Sequence, residues 1–260
     1  MTLIVTDLSI DIAGTRVVDQ VSFDVPTGAR MGIIGESGSG KSLTSLAIMG
    51  LLPRGAVATG SITWNGREIL GLPDKELARI RGAEIGMVFQ EPQTALNPVR
   101  RVRRQISEAA RIHRRLSAKD AKRLAVELAR AVDLPNPEEL IERYPHQLSG
   151  GQRQRVGIAA ALAGNPGLLI ADEPTTALDV TVQKGVLDLL RRIVAEQDVS
   201  LMFITHDLAV LAQVATDAVV MKDGRIVERG PVQALLNSPT HPVTQGLLRD
   251  SKATLWSPYD

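Results

Sequence analysis

One stretch constrains this chain more than any other: Gly35-Glu36-Ser37-Gly38-Ser39-Gly40-Lys41-Ser42. It matches the phosphate-binding pattern G-x-x-x-x-G-K-[ST] in full. The apolar run Met31-Gly32-Ile33-Ile34 precedes it, and the helix-like Leu43-Thr44-Ser45-Leu46-Ala47-Ile48-Met49 follows. A strand, a glycine turn and a helix start together aim backbone N–H groups at a phosphate. Glycines let the main chain curl around the anion. Lys41 can reach the outer phosphates, and Ser42 can place its hydroxyl on Mg²⁺.

Composition narrows the rest. The chain has 260 residues, the range of one large domain or two small ones. Hydrophobic residues make up 44% and aromatics 3%, so the expected core is aliphatic. The net charge of +1 gives no global case for nucleic acid. Cysteine is absent, which removes disulfides, thiolate metal sites and cysteine-held clusters and is compatible with a reducing compartment. No segment reaches the roughly 18 uninterrupted apolar residues of a membrane span. The run Val156 to Ala171 is broken by Asn165-Pro166-Gly167, and the N-terminus lacks signal-peptide character. The expectation is a soluble cytoplasmic chain that meets a membrane only through partners.

Apolar and polar residues alternate over 2–10 and 17–25, the pattern of half-buried strands. Ser61 to Trp64 reads as a strand entering an Asn65-Gly66 turn, and Ile85 to Phe89 as another strand. Residues 99–132 are rich in Arg, Ala, Leu and Glu, with helical spacing at Leu124, Leu128 and Val132; Pro135 and Pro137 end this block. A second helical run covers Gln152 to Gly164, and a further helix lies near 181–197. Strand 218–221, an Asp223-Gly224 turn, strand 225–229 and a last helix near 231–236 close the chain. Three continuous apolar strands, at 31–34, 168–171 and 201–204, each end at a polar cluster. Such runs mark strands covered on both faces, as in a parallel sheet, whose ligands sit at the strands' carboxyl ends. Residues 35–42, Asp172-Glu173 and His206 are therefore expected to converge, with the helix-rich stretch 99–164 as an insertion.

Leu168-Leu169-Ile170-Ala171-Asp172-Glu173 has the form of a second ATPase motif. A buried strand delivers Asp172 to Mg²⁺, through water or Ser42, and Glu173 to the water that attacks a γ-phosphate. Two acids after a strand are weak evidence alone and gain weight beside a phosphate loop. Leu148-Ser149-Gly150-Gly151-Gln152 precedes a helix, so a hydroxyl and bare N–H groups can form a second anion site. An ordinary serine N-cap is the plainer reading of an isolated Ser-Gly-Gly.

With these strings in order, the chain resembles the nucleotide-binding subunit of ATP-binding cassette (ABC) transporters over nearly its whole length. The loop 35–42, Gln90, the signature 148–152, Asp172-Glu173, the D-loop Ala177-Leu178-Asp179 and His206 in Ile204-Thr205-His206-Asp207 each occur once. The resemblance implies an α/β fold: a P-loop NTPase (RecA-like) core with an N-terminal antiparallel β subdomain and an inserted α-helical subdomain. Residues 1–260 would form one nucleotide-binding domain, with the helical subdomain at about 93–164 and a short C-terminal extension at about 231–260. It implies ATP and Mg²⁺, with ATP sandwiched between the phosphate loop of one subunit and the signature of another. The implied nucleotide contacts are Gly35, Glu36, Ser37, Gly38, Ser39, Gly40, Lys41, Ser42, Thr44, Ser149, Gly150, Gly151, Gln152 and Asp179. Glu173, His206, Gln90 and Lys41 would be catalytic, and Ser42, Gln90 and Asp172 would meet the metal. His206 would contact the γ-phosphate and keep Glu173 and Asp179 in register.

Two strings, Gln90-Glu91-Pro92-Gln93-Thr94-Ala95-Leu96-Asn97-Pro98 and His241-Pro242-Val243-Thr244-Gln245-Gly246-Leu247-Leu248, look like the dipeptide, oligopeptide and nickel importer group. Their plain reading is a proline-bounded loop and a helix start. The length without a cysteine-containing tail is nearer the nickel-type members. The implied partners are two transmembrane permease subunits, a second ABC ATPase (a paralogue rather than a second copy) and, indirectly, an extracytoplasmic substrate-binding protein; no nucleic acid is implied. The implied place is the cytoplasmic face of the inner membrane, peripheral to it. The opposed reading is a non-transport ABC ATPase of a soluble complex, of the phosphonate-cleavage accessory type. The family's adenine-stacking aromatic is missing near Ile12, where Arg16 offers a guanidinium plane instead. Arginines 100, 101, 103, 104, 111, 114 and 115 read either as a contact to membrane subunit or headgroups or as a solvated helix face.

Overall fold

Alternation decides the start of the chain: Leu3, Val5, Leu8 and Ile10 are buried in one strand and Val18, Val21, Phe23 and Val25 in the next. The computed structural model describes residues 1–90, 95–176 and 178–255. Its strands are β1 (Leu3–Ile12), β2 (Thr15–Val25), β3 (Arg30–Gly35), β4 (Ala56–Trp64), β5 (Arg67–Glu68), β6 (Ile85–Val88), β7 (Leu168–Asp172), β8 (Ser200–Thr205), β9 (Asp217–Lys222) and β10 (Arg225–Pro231). The chain divides into two units, Met1–Leu77 with Ser200–Asp260, and Ala78–Val199.

The first unit holds an antiparallel sheet in the order β2-β1-β4-β5. Register shifts interrupt the pairing of β1 with β2, and Asp7 of β1 and Gln20 of β2 have positive φ. The Asn65-Gly66 turn forms as expected, with φ of 53° and 77°, both in the region such hairpin turns require. The same unit carries β8, β3, β9 and β10 side by side. β3 runs parallel to both β8 and β9, and β10 returns antiparallel to β9. Ile33, Ile34 and all of β8 are buried, which is what parallel strands covered on both faces need. The helix Leu208–Val214 presses on β3 so closely that a Cβ on Gly32 would sit 2.5 Å from Leu211 Cδ1.

In the second unit β6 and β7 pair in parallel. The helices Val102–Ile106, Glu108–Arg114, Ala118–Ala131, Pro137–Leu140, Gly150–Leu162 and Val180–Gln197 belong to it. A Cβ on Gly86 would meet the Ala161 carbonyl oxygen at 2.3 Å, so glycine is what admits Gly150–Leu162 against β6.

Several expectations need correction. The block 99–132 is three helices, not one. Ala121, Ala125 and Ala129 are buried in the third, whereas Leu124 and Leu128 are half-buried beside them. Small side chains win the buried stripe because they allow closer helix approach. Pro137 does not end a helix but starts one, at the first-turn position where its missing N–H costs nothing. The helix Asp74–Ile80 was not expected. The chain's last described helix is Pro242–Leu255, beyond the helix Val232–Asn237 that stood as last in the sequence reading. Pro242 opens it, in keeping with the plain reading of that string as a helix start.

Candidate functional site

The first unit contains the glycine loop. β3 ends at Gly35, and the helix Lys41–Met49 begins after Gly40, whose φ of 98° is closed to side-chain-bearing residues. A Cβ on Gly35 would lie 2.2 Å from the Met221 carbonyl oxygen. Bare backbone is thus forced at both ends of the turn. The helix start has no side-chain cap. Lys41 is 4% exposed, and its ammonium donates to the carbonyl oxygens of Gly35 and Glu36, each at 2.8 Å. A buried cation under a curled loop at an uncapped helix start matches what a phosphate needs. Thr44 is fully buried and donates to the Gly40 carbonyl at 3.0 Å, tying the loop to the helix's first turn. Ser45 donates to the Ser42 carbonyl. Glu36 pairs with Lys222 of β9 at 2.5 Å, and the carboxylate holds that ammonium's pKa up.

β8 lies beside β3, with Thr205 opposite Ile34. His206 therefore leaves the strand end next to the one that delivers the glycine loop. Asp207 then caps the following helix, accepting from Ala209 N at 2.8 Å and Val210 N at 3.2 Å. Arg16 donates to Asp11 at 2.8 Å and Asp19 at 3.1 Å, and those carboxylates raise its pKa. Ile12 ends β1 opposite Thr15.

The second unit gathers the other residues. β7 is buried throughout and ends at Asp172, which is 5% exposed. Glu173 follows in the left-handed region, φ 43°, a conformation uncommon for its residue type and worth about 1–3 kcal/mol of strain. Its carboxylate accepts from Gln90 Nε2 at 3.1 Å and from Thr176 Oγ1 at 2.8 Å. Gln90 lies two residues beyond β6, the strand paired with β7, so sheet pairing explains how residues 83 positions apart meet.

Ser149 caps Gly150–Leu162: its hydroxyl accepts from Gln152 N at 3.3 Å, and Gln152 Oε1 accepts from Ser149 N at 3.1 Å. The plain N-cap is thus realised as a capping box. Asp179 caps Val180–Gln197 by accepting from Val182 N at 2.9 Å. A Cβ on Gly151 would meet Val182 Cγ1 at 2.6 Å, so the two capped helix starts lie side by side.

Gln90, Ser149 to Gln152, Asp172, Glu173 and Asp179 thus belong to one unit, and residues 35–42, Thr44 and His206 to the other. Glu91 to Thr94 and Ala177, parts of two expected motifs, lie outside the described residues. Among the described residues no group of three or more His, Cys, Asp or Glu side chains could cage a metal. Ser42, Gln90 and Asp172 offer the oxygen donors that suit Mg²⁺, which commonly takes one or two carboxylates with phosphate and water. The sequence reading missed Thr176, whose spacing of three from Glu173 was the available signal, and the Lys222–Glu36 pair, which carried none.

Comparison with known proteins gives a consistent outcome. The family model described as ABC transporter matches residues 18–176. The oligopeptide transport ATP-binding protein OppD of Bacillus subtilis (strain 168) is 50% identical over 230 residues, covering 88% of this chain and 64% of that protein. The putative peptide import ATP-binding protein BMEII0863 of Brucella melitensis biotype 1 is 49% identical, covering 89% and 71%. The dipeptide transport ATP-binding protein DppD of Escherichia coli (strain K12) is 46% identical, covering 90% and 72%. The chain thus spans only 64% to 72% of these relatives' lengths. The dimeric post-hydrolysis structure of the ATP-binding cassette MJ0796 bound to ADP and Pi superimposes with a TM-score of 0.78 at 27% identity, covering 88% of this chain and 98% of that one.

Proposed function

The chain belongs to the ABC transporter family, and we propose that it is the ATP-hydrolysing subunit that energises peptide import through separate transmembrane subunits. The observation that carries the ATPase reading is the curled glycine loop with buried Lys41 beneath it, at the carboxyl end of β3. The names of OppD, DppD and the Brucella protein support peptides as cargo over nickel. The proposed unit of function is one nucleotide-binding domain made by the whole chain, with residues of about 93–164 as its helical subdomain.

Residues Gly35 to Ser42 and Thr44 hold the phosphates of ATP. The N–H groups at the start of Lys41–Met49 donate to them, and the Lys41 ammonium neutralises charge on the outer two. Ser42, Gln90 and Asp172 would hold Mg²⁺, which would supply positive charge beside the phosphates. Glu173 orients the attacking water and takes its proton. Gln90 and Thr176 hold that carboxylate from one side. His206 donates to the γ-phosphate. Catalysis by this set is positioning and electrostatics.

Ser149, Gly150, Gly151 and Gln152 at one helix start, with Asp179 at its neighbour, serve the nucleotide held by a second cassette. A single loop and a single signature per chain call for that partner, and the dimeric state named for MJ0796 supports it. A paralogue is the preferred second cassette. Two permease subunits complete the assembly, a substrate-binding protein acts on its far side, and nucleic acid has no place in it. No helix among the described residues is long and apolar enough to cross a membrane; in the proposed assembly the permeases supply the spans and the chain is peripheral, at the inner membrane's cytoplasmic face.

The test has two arms. Phosphate release by the purified chain with ATP and Mg²⁺ checks the ATPase, and loss of nucleotide binding in Lys41→Ala locates it. A tagged pull-down from detergent-solubilised membranes checks the transport reading. Two polytopic membrane proteins and a second cassette support it. Soluble partners alone overturn it in favour of the accessory-type ATPase.

A further inference from the structure

The arginine run divides when its partners are traced. Arg100 pairs with Glu108 at 2.7 Å. Arg101 lies over the Tyr144 ring, 5.1 Å from its centroid, and donates to the Glu142 carbonyl. Arg103 and Lys122 both pair with Glu142 at 2.9 Å. The Lys122 hydrogen bond and the neighbouring Arg103 hold that carboxyl below its ordinary pKa, against the opposing pull of burial. Arg104 and Arg111 have no acidic partner among the described residues, although they stand on the same two short helices.

Those two arginines line one small cavity. It has a volume of about 60 Å³ and is lined by Arg103, Arg104, Ser107, Arg111, Lys122 and two alanines, Ala118 and Ala121. The residues come from both sides, Val102–Ile106 and Glu108–Arg114 on one and Ala118–Ala131 on the other. Ser107 is 2% exposed, and its hydroxyl donates to the Arg103 carbonyl at 2.8 Å, which leaves its oxygen an acceptor and fixes the cavity's wall. The alanines keep the floor open. Four cations thus line one cavity, and Glu142 pairs with two of them, Arg103 and Lys122, and with neither Arg104 nor Arg111. The whole chain's net charge is only +1, so this is a local concentration of charge and not a general basic character. Like charges gathered round one cavity repel, and a small anion between them relieves it. The room is several times the roughly 10–15 Å³ one water needs, enough for a tetrahedral oxyanion. Guanidinium forks match phosphate oxygens bidentately.

We propose that this cavity of the second unit is a phosphate-group site, with Arg104 and Arg111 as its principal donors and Arg103 and Lys122 as its flanks. The chemistry recognised is a phosphate oxyanion, carried by a lipid headgroup or free in solution. The site is separate from the glycine loop, which lies in the other unit.

The test uses the full chain carrying Lys41→Ala, so that the nucleotide loop contributes no phosphate binding. Inorganic phosphate is titrated in chloride buffer by calorimetry, and sedimentation is compared on vesicles of phosphatidylcholine with and without phosphatidylglycerol. Arg104→Gln with Arg111→Gln, both at exposed positions, is expected to weaken binding at least tenfold with an unchanged circular dichroism spectrum. Arg111→Lys is expected to keep part of it, because charge remains while the fork is lost. Phosphate binding without vesicle binding assigns a free phosphate, and binding to phosphatidylglycerol vesicles alone assigns a headgroup; loss in the double variant is required in both. Binding equal in the parent and the double variant, or none to either probe, overturns the proposal.

Discussion

Ser251 Oγ donates to Asp207 Oδ1 at 3.2 Å and accepts from the Leu208 N–H at the same distance. The same Asp207 oxygen accepts from Ala209 N and Val210 N. The C-terminal helix Pro242–Leu255 therefore pins the residue that follows His206, and it does so through a serine that is 7% exposed.

Ser251→Ala removes that pin without adding bulk. A buried hydrogen bond of this kind is worth about 1 kcal/mol, so turnover is expected to fall about fivefold if the pin sets His206. KM for ATP should hardly move, because the glycine loop is untouched, and Ser251→Thr should restore part of the rate. Steady-state phosphate release at varied ATP separates the two constants. An altered KM with unchanged kcat would refute the link to His206.

Glu173→Gln tests the base. The side chain keeps its shape, and its carbonyl oxygen can still accept from Gln90 or Thr176. What it loses is the capacity to take a proton, worth roughly 10²–10⁴ in rate. ATP binding should persist and a nucleotide-bound dimer should accumulate, as read by size-exclusion chromatography with light scattering. Hydrolysis near the parent rate would sink the assignment.

How much of this was visible beforehand follows from the range of each interaction. The loop 35–42 and Ser149 to Gln152 were legible because their geometry is local: a glycine turn and a capping box are written within eight and four residues. The parallel strands were legible through their unbroken apolar runs. Gln90 against Glu173 was not readable from spacing, since 83 positions separate them and the pairing of β6 with β7 brings them together. The resemblance named both residues and left their contact unstated. The pins Ser251–Asp207 and Glu36–Lys222 gave no signal at all, since serine and lysine in those places look like surface. Leu124 and Leu128 misled because the helix buries its alanines, and a small residue's burial depends on what packs against it.

Glycine 164 offers a sharp stability test in the second unit. A Cβ there would lie 1.6 Å from the Gly82 carbonyl oxygen and 2.7 Å from its carbon. Both obstacles are backbone, so no rotamer change relieves them. Gly164→Ala is expected to cost at least the upper part of the roughly 1–3 kcal/mol typical of overpacking, read as a lower urea midpoint. Gly157, with nothing within 4 Å of a built Cβ, is the control: Gly157→Ala in a helix interior should stabilise by a few tenths to about 1 kcal/mol.

Glu228 of β10 carries an acid-sensitive clamp on the C-terminal segment. Burial pushes its carboxyl up, but the Thr244 hydroxyl, the Thr240 N–H and hydroxyl and the His241 N–H outweigh that and hold it at about 2, against an ordinary 4.5. A folded-state value below the unfolded one stabilises the protein above about pH 4.5, and that stabilisation drains away as the pH falls from 4.5 towards 2. Thr244 is fully buried, so Thr244→Val removes a donor at nearly constant shape. Loss of a hydrogen bond to a charged acceptor should cost about 1.5–3 kcal/mol at neutral pH, and less at pH 3, where part of the contribution has already gone. Glu228→Gln should lower neutral stability and flatten its decline between pH 4.5 and 2, because the amide does not titrate. Urea unfolding of the three proteins across that range is the measurement, and a parallel decline in all three would place the acid sensitivity elsewhere.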